Sequence, residues 1–207
     1  MKEIAVSESS EKVFDVIREG GVVIFPTDTI YGLFCDVTNK KAVDKLFKIK
    51  KRGYKKPIPV FVKNIESAKK IACINKNQEK FLKKVWPGKV TVILDAKGNF
   101  PKKVLSSDNK IGIRIPDYKP ALSLLKKLNI PLSSTSANIS GLPSFVKIEE
   151  VIKQFSGRKN KPDLIVDAGN LEQSEPSTVI DLTGNKMIIL RKGAVSIKSI
   201  NQIYRQE

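Results

Sequence analysis

Short apolar runs alternate with amphipathic segments along almost the whole chain, and this alternation is the feature that most constrains the fold. The apolar runs have the length of strands and lie at 22–26, 58–62, 90–94, 111–115, 130–134, 164–166, 179–182 and 187–190. Other segments repeat apolar residues at helical spacing, which predicts helices at 12–19, 41–49, 65–72, 77–86, 119–128, 147–155 and 197–204. Strands that alternate with helices predict an α/β fold, with a mixed, twisted β-sheet flanked by helices.

The length of 207 residues is enough for one substantial hydrophobic core. We find no repeat, no long low-complexity linker and no break in composition, so we expect a single domain over residues 1–207 with a core at about 10–200. No apolar run approaches the roughly 20 residues that span a bilayer. The first residues, Met1-Lys2-Glu3-Ile4, lack the apolar centre of a signal peptide. We therefore expect a cytoplasmic protein without a membrane partner.

The chain contains no histidine. This absence excludes Ser/His/Asp and Cys/His nucleophile systems, histidine general bases and histidine metal sites. Cys35 and Cys73 are too few for a disulfide framework and lack metal-ligand spacing, so we interpret both as isolated apolar fillers. Neither G-x-x-x-x-G-K-[ST] nor G-x-G-x-x-G occurs. A bound nucleotide would therefore have to be held without either of these phosphate loops.

The charge balance is strongly basic, with 38 Lys and Arg against 21 Asp and Glu and a net charge of +17. Such a charge favours polyanionic partners through counterion release and long-range steering. The lysine-rich and isoleucine-rich composition of an AT-rich genome is an alternative explanation. The positions of the arginines are more informative than the total charge. Arg52, Arg114 and Arg191 lie where a positively charged side chain is expected to have a specific partner.

Two neighbouring segments favour a ligand site. Pro26-Thr27-Asp28-Thr29-Ile30-Tyr31-Gly32-Leu33 places hydroxyls, a carboxylate and a phenol directly after an apolar run, which is typical of a site for a small polar ligand. Lys50-Lys51-Arg52-Gly53-Tyr54-Lys55-Lys56-Pro57 follows the helix predicted at 41–49 and favours an anion. In an extended segment, Lys50, Arg52 and Lys56 would converge on one oligophosphate. A solvated basic loop is the alternative.

Two further arginines end or interrupt apolar strands. The alternation at 111–116 places three isoleucines on one face and Arg114 on the other. Arg114 must be paired if both faces are covered, whereas in a half-exposed strand it meets water or a neighbouring carboxylate. Arg191 ends the run at 187–190, where a rigid strand can present a side chain to a ligand. The hydroxyls at 133–140 and 176–178 are, taken alone, most simply turns or caps.

Taken in order, these segments resemble the YrdC-like family of threonylcarbamoyl-AMP synthases. The segment at 26–33 looks like the family signature P-T-[DE]-T-x-Y-G-L, and Lys50 and Arg52 match its K-x-R element at the family spacing. Further motifs match in the same order, namely Trp86-Pro87-Gly88 with Thr91, Arg114-Ile115-Pro116, Ser136-Ala137-Asn138 with Ser140-Gly141, Ser177-Thr178-Val179 and Leu190-Arg191. The resemblance covers roughly residues 10–200, and the ordered set is far more specific than any single motif.

The resemblance implies a YrdC-like fold, a single α/β domain with a large positively charged cavity. It also implies a nucleotidyltransferase that forms L-threonylcarbamoyladenylate and pyrophosphate from L-threonine, bicarbonate and ATP. Family members make this product for the N6-threonylcarbamoyl modification of adenosine 37 in tRNA. We therefore expect tRNA or double-stranded RNA and a threonylcarbamoyl-transferase machinery as further partners.

By position, the resemblance divides the candidate residues into two groups. It assigns ATP and its phosphates to Lys50, Arg52, Lys56, Ser136, Asn138, Ser144 and Arg191. It assigns threonine to Thr29, Arg114, Ser134 and Ser177, with Arg114 pairing the carboxylate.

The implied chemistry needs no protein nucleophile, because the threonine amine attacks bicarbonate or carbon dioxide and the resulting carbamate attacks the α-phosphorus. Electrostatic and positioning roles then fall to Lys50, Arg52 and Arg191. We expect Mg²⁺ with ATP and no organic prosthetic group. Asp28 is the carboxylate nearest to the signature, but we assign no metal ligand.

Two positions depart from the family pattern. Phe61 lies where some members carry a histidine near the threonine site, so one substrate contact is missing or replaced. Lys192 follows Arg191 where the family pattern has proline. In length the chain resembles the short bacterial form, without the extra C-terminal domain of the long form.

Two other functions stay open at this point. The first is a non-catalytic double-stranded RNA-binding or ribosome-maturation module that uses the basic surface alone. The second is a carbamoyl-transfer domain similar to the one in hydrogenase maturation factors, which would use carbamoyl phosphate. Those factors also carry zinc-finger and acylphosphatase-like segments, which this sequence lacks.

Overall fold

The helices lie close to the predicted positions. A computed structural model describes residues 2–5, 9–53 and 56–205, so Tyr54 and Lys55 of the basic segment lie outside the described residues. The helices are α1 (Ser9–Arg18), α2 (Lys40–Lys50), α3 (Ile65–Ile71), α4 (Lys76–Val85), α5 (Lys119–Leu128), α6 (Ile148–Phe155) and α7 (Ile197–Tyr204). Within these ranges, no helix is long and apolar enough to cross a membrane.

Every predicted strand is present, and three short strands add to them. The strands are β1 (Lys2–Ala5), β2 (Val23–Phe25), β3 (Gly32–Phe34), β4 (Val60–Phe61), β5 (Val90–Asp95), β6 (Lys110–Arg114), β7 (Leu132–Ser133), β8 (Thr135–Ser136), β9 (Leu164–Asp167), β10 (Thr178–Asp181) and β11 (Ile188–Arg191). Strands β1, β3 and β8 were not predicted, because β1 contains two charged residues, β3 overlaps the signature segment interpreted as a ligand site, and β8 lies in the run of hydroxyls interpreted as a turn.

The strands form two mixed sheets, where the sequence predicted one sheet. The five-stranded sheet has the order β1-β9-β2-β3-β8, and the six-stranded sheet has the order β11-β10-β5-β6-β4-β7. Ser134 separates β7 in the larger sheet from β8 in the smaller one. Its N–H donates a hydrogen bond to the carbonyl of Pro59 at 2.7 Å. The chain therefore passes directly from one sheet to the other at Ser134.

The amphipathic helices bury their apolar faces in two side-chain clusters. The larger cluster contains Leu46 of α2, Phe81 of α4 and Phe155 of α6, and the smaller cluster packs Ile17 of α1 with Leu125 of α5. Burial of these apolar surfaces supplies most of the driving force for such a fold.

The two cysteines have different environments. Cys35 is buried, and burial raises the pKa of its thiol to about 12. Cys73 is exposed. The interpretation as an isolated apolar filler therefore fits Cys35, whereas Cys73 is exposed and fills no part of the core.

Helix α2 leads into the basic segment, and both of its ends are capped. The side chain of Asn39 accepts hydrogen bonds from the N–H groups of Lys41 and Ala42. At the other end, Lys51 has a left-handed backbone with φ 49° and ψ 41°. The N–H groups of Lys51 and Arg52 donate to carbonyls of the last helical turn. The helix therefore ends at this cap, directly before Arg52.

We expect Lys51→Gly to stabilise the protein by about 0.5–1 kcal/mol, because glycine adopts the left-handed cap without the steric cost that lysine pays. A matched control is Lys48→Gly, an exposed position of α2 where glycine should destabilise by about 1 kcal/mol. Urea unfolding curves measure both changes. A loss of stability in Lys51→Gly would contradict the assignment of strain to this cap.

Candidate active site

A cavity of about 330 Å³ lies between the two sheets. Its volume is within the range of roughly 300–1,000 Å³ found for small-molecule sites. The smaller sheet contributes Gly32, Phe34, Thr135 and Ser136, and the larger sheet contributes Phe61, Thr91, Arg114 and Arg191. Among the described residues, no carboxylate lines this cavity, whereas three arginines do. The site is therefore built for an anionic ligand.

The signature segment forms a turn between β2 and β3 that is fixed by its own hydroxyls. The Thr27 hydroxyl donates to the carbonyl of Ile30 at 2.6 Å and accepts from the N–H groups of Thr29 and Ile30. The hydroxyl oxygens of Thr27 and Thr29 lie 3.1 Å apart, and both residues line the cavity. The turn therefore holds the Thr29 hydroxyl in place before any ligand binds.

The phenol of the same segment serves the structure and does not line the cavity. Tyr31 is fully buried, and its hydroxyl donates to the carbonyl of Gly169 at 2.7 Å and accepts from the N–H of Ala168 at 3.0 Å. Burial raises the pKa of Tyr31 to about 12. Tyr31 thus ties the signature turn to the segment that follows β9.

Arg114 is buried and paired with a carboxylate. Its strand pattern left open a buried, paired arginine or a half-exposed one, and the structure shows the first. Its side chain is 3% exposed, and its Nη2 donates to Asp28 Oδ2 at 2.5 Å. Its Nε donates to the carbonyl of Gly88 at 2.7 Å, and its Cζ lies 5.6 Å from the centre of the Phe61 ring. Among the described residues, Nη1 has no hydrogen-bond partner. The guanidinium is thus held on one side and open on the other.

Phe61 forms part of the cavity wall beside Arg114. Its ring lines the cavity, lies beside the Arg114 guanidinium and packs edge-on against Phe34. The aromatic face supports the cation without donating a hydrogen bond to a ligand.

Arg191 reaches the cavity because of a register shift between β10 and β11. The pairs are Asp181 with Ile188 and Ile180 with Ile189, but Val179 then pairs with Arg191 instead of Leu190. This bulge turns Arg191 toward the face of the sheet that lines the cavity.

The guanidinium of Arg191 is fixed by one neighbour. Its Nε and Nη2 donate to the carbonyl of Ser177 at 3.1 and 2.7 Å. The hydroxyl oxygens of Ser177 and Thr91 lie 2.8 Å apart, so this neighbour is itself attached to β5. Arg191 and Arg114 are close enough that Arg191 lowers the pKa of Arg114, although burial is the larger cause.

Arg52 lines the cavity and also fixes its own loop. Its Nε donates to the carbonyl of Lys56 at 2.9 Å, and its Nη2 donates to the carbonyl of Pro57 at 2.8 Å. Burial lowers the pKa of Arg52.

Lys50, two residues earlier, points in another direction. It is 1% exposed, and its Nζ donates to the carbonyls of Ser136 and Asn138 at 2.5 and 2.9 Å and to Asn138 Oδ1 at 3.0 Å. Its own carbonyl accepts from the N–H of Ser140 at 2.8 Å. Burial, together with the charge of Arg52, lowers the pKa of Lys50 to about 7. The ammonium thus lies behind the cavity wall and orders the loop that carries Ser136.

The structure brings most of the candidate residues together. Those that line the cavity are Thr29, Arg52, Arg114, Ser134, Ser136, Ser144, Ser177 and Arg191. Three do not line it. Lys50 is buried behind the wall, Lys56 is exposed, and Asn138 uses its side chain to bind Lys50, Ser136 and the carbonyl of Leu142.

Sequence reasoning did not single out several lining residues, including Phe34, Pro59 and Thr135. Phe34 and Thr135 belong to the short strands β3 and β8, which have no apolar period of their own. Thr135 stands between Ser134 and Ser136, so the run of hydroxyls was the one signal available for it.

Comparisons with known proteins connect this site to a family. The sequence model of the Sua5/YciO/YrdC family, described as "Telomere recombination", matches residues 15–193. A protein of Methanocaldococcus jannaschii, provisionally named threonylcarbamoyl-AMP synthase, is 36% identical over 198 residues, which are 93% of this chain and 91% of that protein. A protein of Pyrococcus abyssi named threonylcarbamoyl-AMP synthase is 32% identical over 188 residues, or 90% of this chain.

The Pyrococcus relative is much longer, and the chain spans about half of it, 54% of its length. The crystal structure of Pyrococcus abyssi Sua5 complexed with L-threonine superimposes with a TM-score of 0.86 at 32% identity, covering 93% of this chain and 56% of the other. This likeness confirms the α/β fold class that the sequence predicts. Since the family model matches well over half of the residues, the chain belongs to the Sua5/YciO/YrdC family.

Proposed function

We propose that the chain is a threonylcarbamoyl-AMP synthase, which converts L-threonine, bicarbonate and ATP into threonylcarbamoyl-adenylate and pyrophosphate. The observation that carries the proposal is the meeting of Arg52, Arg114 and Arg191, from three distant segments, in one cavity lined with hydroxyls. The names of the relatives agree with the activity that the sequence resemblance implies.

Threonine binds at the Arg114 end of the cavity. The open Nη1 of Arg114, beside the fixed Nη2, offers a fork that matches a carboxylate. Thr29, Ser134 and Ser177 surround this end with hydroxyls that suit the ammonium and hydroxyl groups of the amino acid. The threonine complex of the related Sua5 supports the choice of this amino acid.

ATP binds with its phosphates toward Arg52 and Arg191. Among the described residues neither guanidinium is paired with a carboxylate, since their hydrogen-bond partners are neutral carbonyl and hydroxyl groups. Ser136 and Ser144 add hydroxyls to the same wall, and Lys50 holds the Ser136 loop from behind. Such fixed cations stabilise the charge that develops on a departing pyrophosphate.

Magnesium enters with the nucleotide in this proposal. The described residues contain no group of three or more Cys, Asp or Glu side chains that could hold a metal ion. Asp28, the carboxylate nearest to the signature, is bound to Arg114. The phosphate oxygens of ATP would therefore supply the ligands, and the metal would neutralise part of their charge.

The chain's own residues position the reactants and balance their charge. The neutral amine of threonine attacks carbon dioxide, which opens one C=O bond to give the carbamate oxygen, or it attacks bicarbonate, whose C–OH bond breaks so that the hydroxide leaves as water with an amine proton. The carbamate oxygen then attacks the α-phosphorus, and the bond from the α-phosphorus to pyrophosphate breaks. No side chain forms a covalent bond. The proton lost by the threonine ammonium passes to bicarbonate or water, because no carboxylate among the described residues lines the cavity.

The product is used, in this proposal, by a transferase that modifies tRNA in the cytoplasm. The net charge of +17 supports an encounter with tRNA or with another polyanion. A double-stranded RNA-binding module without activity would use the same charge, but it would not need an ordered cavity.

The direct test mixes the protein with ATP, magnesium, L-threonine and labelled bicarbonate. We expect pyrophosphate release and a labelled adenylate, both of which depend on threonine. Pyrophosphate release that is indifferent to threonine would refute the proposal.

Arg52→Ala should raise the KM for ATP by about tenfold while leaving the KM for threonine within about twofold, because one charge-assisted contact to phosphate is lost. Lys56→Ala is the matched control, since Lys56 is exposed, lies in the same loop and does not line the cavity. Steady-state kinetics with each substrate varied in turn measure both effects. Equal changes in the two variants would contradict the assignment of Arg52 to the phosphates.

A further inference from the structure

The three guanidiniums in the cavity differ in what surrounds them. Arg114 is paired with the carboxylate of Asp28, whose side chain is 7% exposed. Arg52 donates to two backbone carbonyls, and Arg191 donates to the carbonyl and hydroxyl of Ser177. Within the described ranges, neither Arg52 nor Arg191 has a carboxylate partner. At one end of the cavity, the charge of Arg114 is therefore neutralised by a carboxylate. At the other end, the charges of Arg52 and Arg191 are not.

Asp28 has few hydrogen-bond donors besides Arg114. Its Oδ2 accepts from Arg114 and from the N–H of Asp117 at 3.2 Å. Its Oδ1 is buried and has no hydrogen-bond partner among the residues that the structure describes. A second anion at this end therefore meets an ion pair without net charge and a buried oxygen that no donor covers, so it gains little from Arg114.

This difference in charge has consequences for the two substrates. Threonine is a zwitterion whose ammonium balances its carboxylate, so a neutral Arg114–Asp28 pair accepts it without a net charge. A phosphate or pyrophosphate group would gain less from Arg114 and would be repelled by Asp28. Repulsion of a wrong ligand is as effective for selectivity as attraction of the right one.

Resting on the proposed function, we propose that Asp28 is a specificity-determining residue that excludes phosphate groups from the threonine end of the cavity. It acts through its charge and through Arg114, since its side chain does not line the cavity. The same pairing also fixes the direction in which the Arg114 guanidinium points. Without this exclusion, three guanidiniums in one cavity would let polyphosphate occupy the position of threonine.

The first test uses the unmodified protein and pyrophosphate as the probe. Equilibrium dialysis measures the binding of labelled threonine, and separately of labelled ATP, as pyrophosphate is added. We expect pyrophosphate to displace ATP and to leave threonine bound. Direct displacement of threonine by pyrophosphate would overturn the inference.

The second test removes the charge and keeps the shape. Asp28→Asn retains an oxygen that can accept from Arg114, so we expect pyrophosphate now to compete with threonine. The apparent Kd for threonine should rise on the order of tenfold at a pyrophosphate concentration that leaves the unmodified protein unchanged. Asp28→Glu keeps the carboxylate and should restore the original pattern.

Asp117→Asn is the control for a nearby charge, because the Asp117 carboxylate is exposed and forms no ion pair with Arg114, although its charge also raises the pKa of Arg114. It removes the same charge and should leave the competition pattern unchanged. Thermal melts establish that each variant is folded. If Asp28→Asn does not fold, the competition measured on the unmodified protein decides the question.

The possible failures can be told apart. If the unmodified protein does not bind threonine, the proposed function is overturned together with this inference. If it binds threonine and a folded Asp28→Asn variant shows the original competition pattern, only the exclusion by Asp28 is overturned.

Discussion

Arg114→Ala should raise the threonine concentration needed for half-maximal pyrophosphate release by about 100-fold or more, while the KM for ATP changes little. The variant loses a charged fork that binds the carboxylate, an interaction of about 2–4 kcal/mol in a buried site. It also leaves the Asp28 carboxylate buried without its cation, which we expect to destabilise the fold by about 3–5 kcal/mol.

Two further variants separate substrate binding from stability. Arg114→Lys keeps a cation beside Asp28 but loses the planar fork, so it should fold and still require much more threonine. Arg18→Ala removes an exposed arginine at the end of α1 and should behave like the unmodified protein. Steady-state kinetics with varied threonine measure the effect on threonine use, and thermal melts measure the effect on stability. A threonine KM within about twofold of normal in folded Arg114→Lys would remove Arg114 from the threonine site.

Gly193→Ala should destabilise the protein by about 2–4 kcal/mol and lower activity with both substrates by more than about tenfold. A Cβ atom at Gly193 would lie 2.2 Å from the carbonyl oxygen of Pro176 and 2.7 Å from the carbonyl carbon of Ser177. Both are backbone atoms, so no side-chain rotation relieves the overlap. The segment that carries Ser177 must move, and with it the acceptor that holds Arg191.

Gly53→Ala is the control for this substitution. Gly53 lies in the loop beside Arg52, and among the residues that the structure describes a Cβ atom there would meet nothing within 4 Å. We expect stability within about 0.5 kcal/mol of normal, which chemical denaturation can measure alongside Gly193→Ala. If the two variants have similar free energies of unfolding, the segment around Pro176 can move without loss of stability, and the prediction is wrong.

The sequence predicted the helices and the longer strands because each buries one face and so repeats its apolar residues regularly. The same rule predicted that Arg114 needs a partner if its sheet is covered on both faces. It could not identify the partner, since Asp28 lies 86 positions earlier and meets Arg114 only after the two sheets have packed.

Other features of the site depend on geometry that leaves no local pattern. Lys50 and Arg52 are two residues apart, yet one lies behind the cavity wall and the other lines it, because the helix ends between them at Lys51. Arg191 reaches the cavity only through the bulge opposite Val179. In a regular ladder Leu190 would take its place, and no apolar period distinguishes the two arrangements.

The passage of the chain at Ser134 has a further consequence. The walls on either side of the cavity belong to separate hydrogen-bonded ladders, so few backbone bonds fix the width of the gap between them. A ligand that touches both walls acts as a non-covalent crosslink, and its binding free energy adds to the cohesion of the folded protein. The contacts that hold a ligand in the gap therefore also increase the free energy of unfolding.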